Sequence, residues 1–389
     1  MKFAARMSRL GTETAFEVMA RAKALEAKGK SIIHLQIGEP DFTTPKHIIE
    51  AAVAALREGQ THYSPSAGIR PLREAIVEEV YQRRGVKSKV EEVIVTPGAK
   101  PILYFTILAL IEEGDEVIYP NPGFPIYESV INFVGGTPVP LPLIEEKDFR
   151  FDPDEFRSLV TNRTKMIIIN TPQNPTGGIL TKRDLEVVAE VARQRKILVL
   201  SDEVYKNIIY EGQHESFYSL PGVKDFTILL DGFSKTYAMT GWRLGWGVMP
   251  EELAQKVEKL MINSNSCTST FSQHAAIQAL KGPTDEVDAF VEEFRKRRDF
   301  IVAGLNDIPG ISCITPKGAF YVFPNVKNLN ISSQKLEHHL LNEAGVAVLS
   351  GTAFGKYGEG YLRFSYANSI ENINTGLERI RKALKNLSN

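Results

Sequence analysis

Residues 166–205 read MIIINTPQNPTGGILTKRDLEVVAEVARQRKILVLSDEVY. The stretch opens and closes on apolar, β-branched runs, 166–170 and 197–201, that do not alternate with polar residues. Continuous runs of that length suit strands buried on both faces. Between them Leu185, Val188, Ala189 and Ala192 fall on one helical stripe. Thr181, with Asp184 three residues on, is a capping-box start for that helix. Strand, helix and strand in that order pair in parallel through a right-handed crossover. Each strand then runs into polar punctuation, Asn170-Thr171-Pro172-Gln173-Asn174-Pro175-Thr176-Gly177-Gly178 after the first and Asp202-Glu203-Val204-Tyr205 after the second.

The same texture extends outward. Runs at 92–96, 116–120, 137–141, 227–231 and 244–249 predict five more strands, with helical stretches between several of them. The middle of the chain is therefore expected to be an open, mostly parallel α/β sheet. Ahead of it the spacing of apolar residues predicts helices at about 14–27, 47–56 and 72–82. The last hundred residues differ. A charged amphipathic helix at about 287–305 precedes alternating strands near 318–323 and 361–366 and a terminal helix from about residue 370, an α+β layer. The expected organisation is a large unit at 43–283, a smaller one at 284–389, and a segment 1–42 that joins the smaller. The long helix near 284–305 is the joint.

Bulk composition narrows the partners. The chain of 389 residues is 43% hydrophobic and 24% charged, ordinary for a globular protein. Lys and Arg number 46 against 47 for Asp and Glu. That balance provides no general field for nucleic acid or a membrane surface, so a charged ligand must be met locally. No apolar run approaches the ~20 residues of a membrane span. Cys267 and Cys313 have neither a disulfide framework nor metal-ligand spacing, which predicts a reducing, cytoplasmic setting and no metal site. There is no G-x-G-x-x-G between an early strand and helix, as a dehydrogenase would need. Residues 351–357, GTAFGKY, lack the spacing and the Ser/Thr of a nucleotide-binding P-loop.

An open parallel sheet binds its ligand at the carboxyl ends of its strands. There the chain carries Thr96-Pro97-Gly98-Ala99-Lys100-Pro101, small residues leading into a helix start that suits phosphate, or simply a strand-to-helix turn. Asn121-Pro122-Gly123-Phe124 sets an aromatic on a rigid turn, for stacking or for ordinary packing. Two X-Pro steps hold the backbone around Asn174 extended. Asp202 places a carboxylate directly beyond an apolar strand, where it serves either a ligand or a helix cap. In Asp231-Gly232-Phe233-Ser234-Lys235-Thr236-Tyr237-Ala238-Met239-Thr240-Gly241-Trp242-Arg243, a lysine lies between an apolar strand and a Gly/aromatic turn. Desolvation there lowers an amine's pKa, as a Schiff-base lysine requires. Arg243 offers a planar fork for phosphate. Jointly these groups supply what pyridoxal 5′-phosphate (PLP) needs: an anion site, a ring sandwich, a partner for a pyridinium nitrogen and an amine for an aldehyde.

Asn174-Pro175-Thr176-Gly177, Ser201-Asp202-Glu203-Val204-Tyr205, and Ser234-Lys235 with Thr240-Gly241-Trp242-Arg243 resemble the signatures of class I/II aminotransferases, PLP fold type I. The order holds from Met7 to Tyr366, with Gly38-Glu39-Pro40-Asp41-Phe42 near the start and Leu362-Arg363-Phe364-Ser365 near the end. The pattern is most similar to the prokaryotic aspartate aminotransferase subgroup. The resemblance implies a seven-stranded, mostly parallel sheet in the large unit.

It also implies roles. Lys235 would carry the cofactor's aldehyde carbon and then act as general base at the substrate Cα. Asp202 would pair with the pyridinium nitrogen, Tyr205 and Asn174 would hold the ring's phenolic oxygen, and Phe124 would stack on the ring. Gly98, Ala99, Lys100, Ser234 and Arg243 would surround the phosphate, and Tyr63 would reach the phosphate of a neighbouring subunit in a homodimer with shared active sites. Arg363 would bind the substrate α-carboxylate, with Gly38, Phe124 and Asn174 lining the same pocket. Two departures stand out: Gly232 where many relatives have a hydroxyl, and Phe124 where close relatives often have Trp or Tyr. The implied activity moves an amino group from an amino acid, aspartate foremost, to a 2-oxo acid, 2-oxoglutarate foremost. Lys100, assisted by Thr12 or Thr14, would read the distal carboxylate. Competing readings are a broad, alanine or aromatic aminotransferase, and a fold type I lyase or synthase. A PLP-binding transcriptional sensor would need a DNA-binding module, for which there is no room before Gly38.

Overall fold

The structure, a computed structural model, describes residues 1–387, so the last two residues of the expected 284–389 unit lie outside it. The strands are β1 (Ile33–His34), β2 (Val93–Thr96), β3 (Glu116–Asn121), β4 (Thr137–Pro142), β5 (Thr164–Asn170), β6 (Leu198–Asp202), β7 (Thr227–Gly232), β8 (Gly245–Val248), β9 (Tyr321–Val322), β10 (Val346–Ala347), β11 (Leu349–Ser350) and β12 (Leu362–Ser365). The helices are α1 (Thr14–Glu26), α2 (Lys46–Arg57), α3 (Arg70–Arg84), α4 (Lys100–Leu110), α5 (Ile126–Val134), α6 (Pro153–Leu159), α7 (Lys182–Arg195), α8 (Glu251–Ser264), α9 (Thr270–Lys281), α10 (Asp285–Asn306), α11 (Ser333–His339) and α12 (Ile370–Leu387). No helix among the described residues is long and apolar enough to cross a membrane.

Strands β2 to β8 form one seven-stranded sheet in the order β2-β8-β7-β6-β5-β3-β4. β8 is antiparallel to both neighbours and the other pairings are parallel. Every residue of β2, β3, β7 and β8 is buried, which is why the strands read as unbroken apolar runs. The two-residue period of a strand feeds two separate cores. Ile167, Ile169 and Val199 pack with Leu185, Val188, Ala189 and Ala192 of α7 on one face. Met166, Ile168 and Leu200 pack with Ile102 of α4 and Val257 of α8 on the other. β4 closes one edge with Pro138, Pro140 and Pro142 at alternate positions, where missing N–H groups deter pairing with another chain. The expected start of α7 forms as a capping box: the Thr181 amide donates to the Asp184 carboxylate at 2.8 Å, and the Asp184 amide donates to the Thr181 hydroxyl at 3.3 Å.

The remaining layer is built from shorter pieces. β12 lies between β9 and β11, antiparallel to both. The strand expected at 318–323 is reduced to Tyr321–Val322, because Ala319 takes a left-handed φ of 57° that breaks the extended run. β1 pairs in parallel with β10, and the Ser365 amide donates to the Leu35 carbonyl at 2.7 Å, so the early segment is tied to this layer. Both X-Pro peptides around Asn174, at Thr171-Pro172 and Asn174-Pro175, are cis, as is Asn121-Pro122.

Candidate active site

Because β2, β3, β5, β6 and β7 all run the same way, their carboxyl ends open on one edge of the sheet. A cavity of about 470 Å³ lies there, lined by Ala99, Lys100, Phe124, Asn174, Asp202, Tyr205, Ser234, Lys235, Arg243, Gly38 and Arg363 among others. These residues come from six strand exits or entrances, the segment after β1 and, for Arg363, from β12 itself. Gly98 adjoins the same group through Arg243. Tyr63 does not join it: the side chain is 90% exposed and lies outside this cavity.

One end of the cavity is built for an anion. Gly98 has φ +91° and Gly245 begins β8 directly against it. A Cβ on Gly98 would run into the Arg243 guanidinium, and one on Gly245 would lie 2.6 Å from Ala99 Cα. Only glycines allow this approach of two backbones and a guanidinium. Arg243 itself adopts φ 57°, a strained conformation for a side-chain-bearing residue, and donates to the Thr240 carbonyl at 2.7 Å. At the start of α4 Pro101 has no N–H and the Ile102 amide donates to the Ala99 carbonyl at 3.1 Å, which leaves the amides of Ala99 and Lys100 to form an anion cradle. Gly232 lies 3.4 Å from Ala99 Cβ when given a Cβ of its own, so the position expected to carry a hydroxyl elsewhere is tight here.

Lys235 reaches the cavity floor yet is ringed by protein, and its Nζ donates to the Gly38 carbonyl at 2.6 Å. Burial brings its pKa down to about 8, opposed by Glu39 and assisted by Lys100 and Arg363. A useful fraction of the amine is therefore neutral near physiological pH, as covalent capture of a carbonyl requires. Asp202, at the end of β6, faces the opposite chemistry. Burial pushes its carboxyl up to about 6, against the Tyr127 hydroxyl (2.6 Å) and the Val204 amide (3.3 Å), which favour the charged form. Asp231 and Glu203 add repulsion from behind. Those two carboxylates belong to a buried ion cluster in which Arg84 reaches Glu203 at 2.8 Å, Glu79 at 3.1 Å and Asp231 at 3.3 Å, and Lys206 holds Asp231.

Arg363, on β12, is 4% exposed and sits 4.5 Å from the ring centre of Tyr321 and 4.9 Å from that of Phe354. Nη1 donates to Asn174 Oδ1 at 3.1 Å and Nη2 to the Gln36 carbonyl. Its buried Nε has no partner, and among the described residues the guanidinium meets no acid. A buried cation with an unpartnered donor, lining a cavity, has the charge and the fork geometry to bind a carboxylate. Gly38 is required beside it, since a Cβ there would fall 2.8 Å from Tyr321 Cζ. Tyr205 and Tyr321 share a 2.8 Å hydrogen bond that links β6 to β9 across the cavity.

Several cavity groups escaped the sequence reading. Tyr127 follows Phe124 by one helical turn, so its placement was legible in principle from i, i+3 spacing at the start of α5. Tyr321 and Glu13 carry no local signal, because each arrives by tertiary approach. The ensemble suits a planar, phosphate-bearing aldehyde: an anion cradle, a wall from Phe124, a carboxylate, and a depressed-pKa amine in one cavity.

A family model described as aminotransferase class I and II matches residues 30–380. The chain is 42% identical to a probable aspartate/prephenate aminotransferase of Aquifex aeolicus, over 99% of each chain. It is 41% identical to aromatic-amino-acid aminotransferase 2 of Thermococcus litoralis, over 92% of each. Its fold superposes on an alanine aminotransferase of Pyrococcus furiosus with a TM-score of 0.94 at 36% identity, covering 99% of this chain and 100% of that one. The chain belongs to the class I and II aminotransferase family and is a PLP-dependent aminotransferase.

Proposed function

We propose that this aminotransferase takes a dicarboxylic amino acid, aspartate foremost, as donor and 2-oxoglutarate as acceptor. The observation that carries the reading is that, of the four basic side chains lining the cavity, Arg363 and Lys100 remain for the substrate once Lys235 and Arg243 are given to the cofactor. Arg363 accounts for the α-carboxylate of any amino acid, so a second carboxylate needs the second cation. Names among the relatives include aspartate/prephenate and aspartate aminotransferases, which supports the preference.

When bound, PLP supplies an aldehyde carbon for the amino group and a ring that accepts electrons as the Cα proton leaves. In this reading Lys235 holds that carbon and, once displaced by the incoming amine, takes the proton from the substrate Cα onto Nζ. Asp202 keeps a negative charge against the ring nitrogen, with Tyr127 fixing its carboxylate. Asn174 and Tyr205 hold the phenolic oxygen, and Asn174 also braces Arg363. Phe124 covers the ring. Gly98, Ala99, Ser234 and Arg243 hold the phosphate, with Lys100 close by. Tyr63 serves the phosphate of a neighbouring subunit, so the working form is a homodimer with shared sites. The units are 43–283 and 284–389, with 1–42 joining the smaller; the β1–β10 pairing supports that last assignment for the part of the segment around Ile33–His34. The balanced charge and two free cysteines support a cytoplasmic setting.

A second reading has an observation of its own. Lys100 is already paired with Glu13, and Phe16, Ile37, Leu103 and Ile126 make part of the cavity apolar, which would suit neutral or aromatic side chains. Lys100→Ala discriminates. Losing a charged hydrogen bond worth about 1–3 kcal/mol should lower the aspartate-to-phenylalanine ratio of kcat/KM by roughly 5- to 150-fold. An unchanged ratio would favour the broad-specificity enzyme.

A further inference from the structure

Lys100, at the first position of α4, is engaged. Its Nζ pairs with the carboxylate of Glu13, in the turn that leads into α1, and both side chains line the cavity. Among the described residues this is the cavity's one carboxylate–ammonium pair. Glu39 and Asp202 accept from the hydroxyls of Thr240 and Tyr127, while Lys235, Arg243 and Arg363 donate to carbonyls and to Asn174. Chemically, Glu13 is an acidic amino-acid side chain presented to the ammonium that would read one.

The segment that carries Glu13 is shallowly held. Residues 1–12 are all exposed, and the short turn Ala5–Arg9 buries nothing. Its tethers to α5 are polar: Arg9 donates to the Phe133 carbonyl at 3.3 Å, and Gly11 exchanges hydrogen bonds with the Ser129 hydroxyl at 2.9 and 3.3 Å. Attachments of that kind open at little cost. The Glu13–Lys100 pair is itself partly exposed, with side-chain exposures of 21% and 43%, so solvent already weakens it.

We propose that Glu13 is an internal competitor for the substrate's side-chain carboxylate and thereby a specificity-determining residue. Paired with Lys100, it closes that end of the cavity as a neutral unit and leaves room for uncharged side chains. An acidic substrate must displace it, because two carboxylates on one ammonium repel each other. Apparent affinity for an acidic ligand is then the intrinsic affinity multiplied by the fraction of time Lys100 is free. Occupancy by Glu13 of about nine-tenths corresponds to a tenfold loss. The inference rests on the proposal that Lys100 reads the distal carboxylate. It accounts for a cavity that carries the second cation and yet an apolar wall.

Succinate, a dicarboxylate with no amino or oxo group to react, separates binding from turnover. Titrated calorimetrically into PLP-loaded enzyme, it should bind Glu13→Gln about tenfold more tightly than the parent, since Gln keeps the size but not the charge. The aspartate-to-phenylalanine ratio of kcat/KM should rise by a similar factor. An unchanged or weaker succinate Kd in Glu13→Gln overturns the proposal. Lys100→Met tells the two readings apart. If it weakens succinate while Glu13→Gln has no effect, the competitor role alone is wrong. If it leaves succinate affinity unaltered, Lys100 does not read the carboxylate and both readings fall.

Discussion

The Tyr127 hydroxyl donates a 2.6 Å hydrogen bond to Asp202 Oδ2, joining the first turn of α5 to the end of β6 at the back of the cavity. The bond favours the charged carboxylate, against the burial that raises Asp202 to about 6. Tyr127→Phe removes it, so the Asp202 carboxyl should move further up. The acid limb of the pH–rate profile should shift to higher pH, and kcat should fall roughly 10-fold, the worth of a hydrogen bond to a charged group. An acid limb that stays in place would mean that Tyr127 only packs.

Asp202 also ties function to stability. Its pKa of about 6 in the folded protein lies above the ordinary aspartate value of ~3.9. The folded state therefore holds the proton more tightly, and the stabilisation is complete below about pH 4 and lost as pH rises through about 6. At pH 7 the buried charge costs the cofactor-free protein on the order of 1–3 kcal/mol. Asp202→Asn should recover that stability in urea unfolding of the cofactor-free protein at pH 7, with no gain at pH 4. Turnover of the loaded enzyme should fall on the order of 10²-fold or more. A destabilised variant at pH 7 would contradict the assignment of strain to this carboxylate.

Arg363→Lys replaces a planar fork with a point charge and leaves Asn174 and the Gln36 carbonyl short of a donor. Values of kcat/KM for aspartate and phenylalanine should drop together, by roughly 10²-fold, chiefly through KM. Unequal losses would show that Arg363 reads the side chain instead of the shared α-carboxylate.

Tyr63, 90% exposed in a single chain, has reason to be in the cofactor site only if a second subunit brings a cavity to it. Sedimentation should give a dimer, and Tyr63→Phe should release PLP several-fold faster. A fully active monomer at assay concentration would remove the shared site.

How much of this was legible beforehand follows from where the information resides. The sheet was readable because strands such as β5 and β6 are buried on both faces and advertise it as unbroken apolar runs, while Thr181 and Asp184 mark the start of α7 locally. The smaller layer was harder. β9, β10 and β11 are two residues each, too short for periodicity, and β1 finds β10 across some 300 residues with no local trace. Residues at strand exits were exposed to inference by topology alone, as with Lys235 and Asp202. Arg363 lies on β12, away from those exits, and entered through family resemblance. Arg84, Glu79 and Lys206 fold into a buried cluster behind Asp202 that the sequence does not signal, since nothing in a helical or turn pattern reveals a partner more than a hundred residues away.

The central claim is that Lys235 is the amine that carries the cofactor, and borohydride tests it most directly. Reduction of PLP-loaded enzyme should fix a pyridoxyl group that peptide mapping finds on Lys235. Capture of PLP by cofactor-free protein should quicken as pH rises through about 8, where the Lys235 amine becomes neutral. Label on Lys100, Lys206 or any other lysine, or none after loading with PLP, would contradict the account.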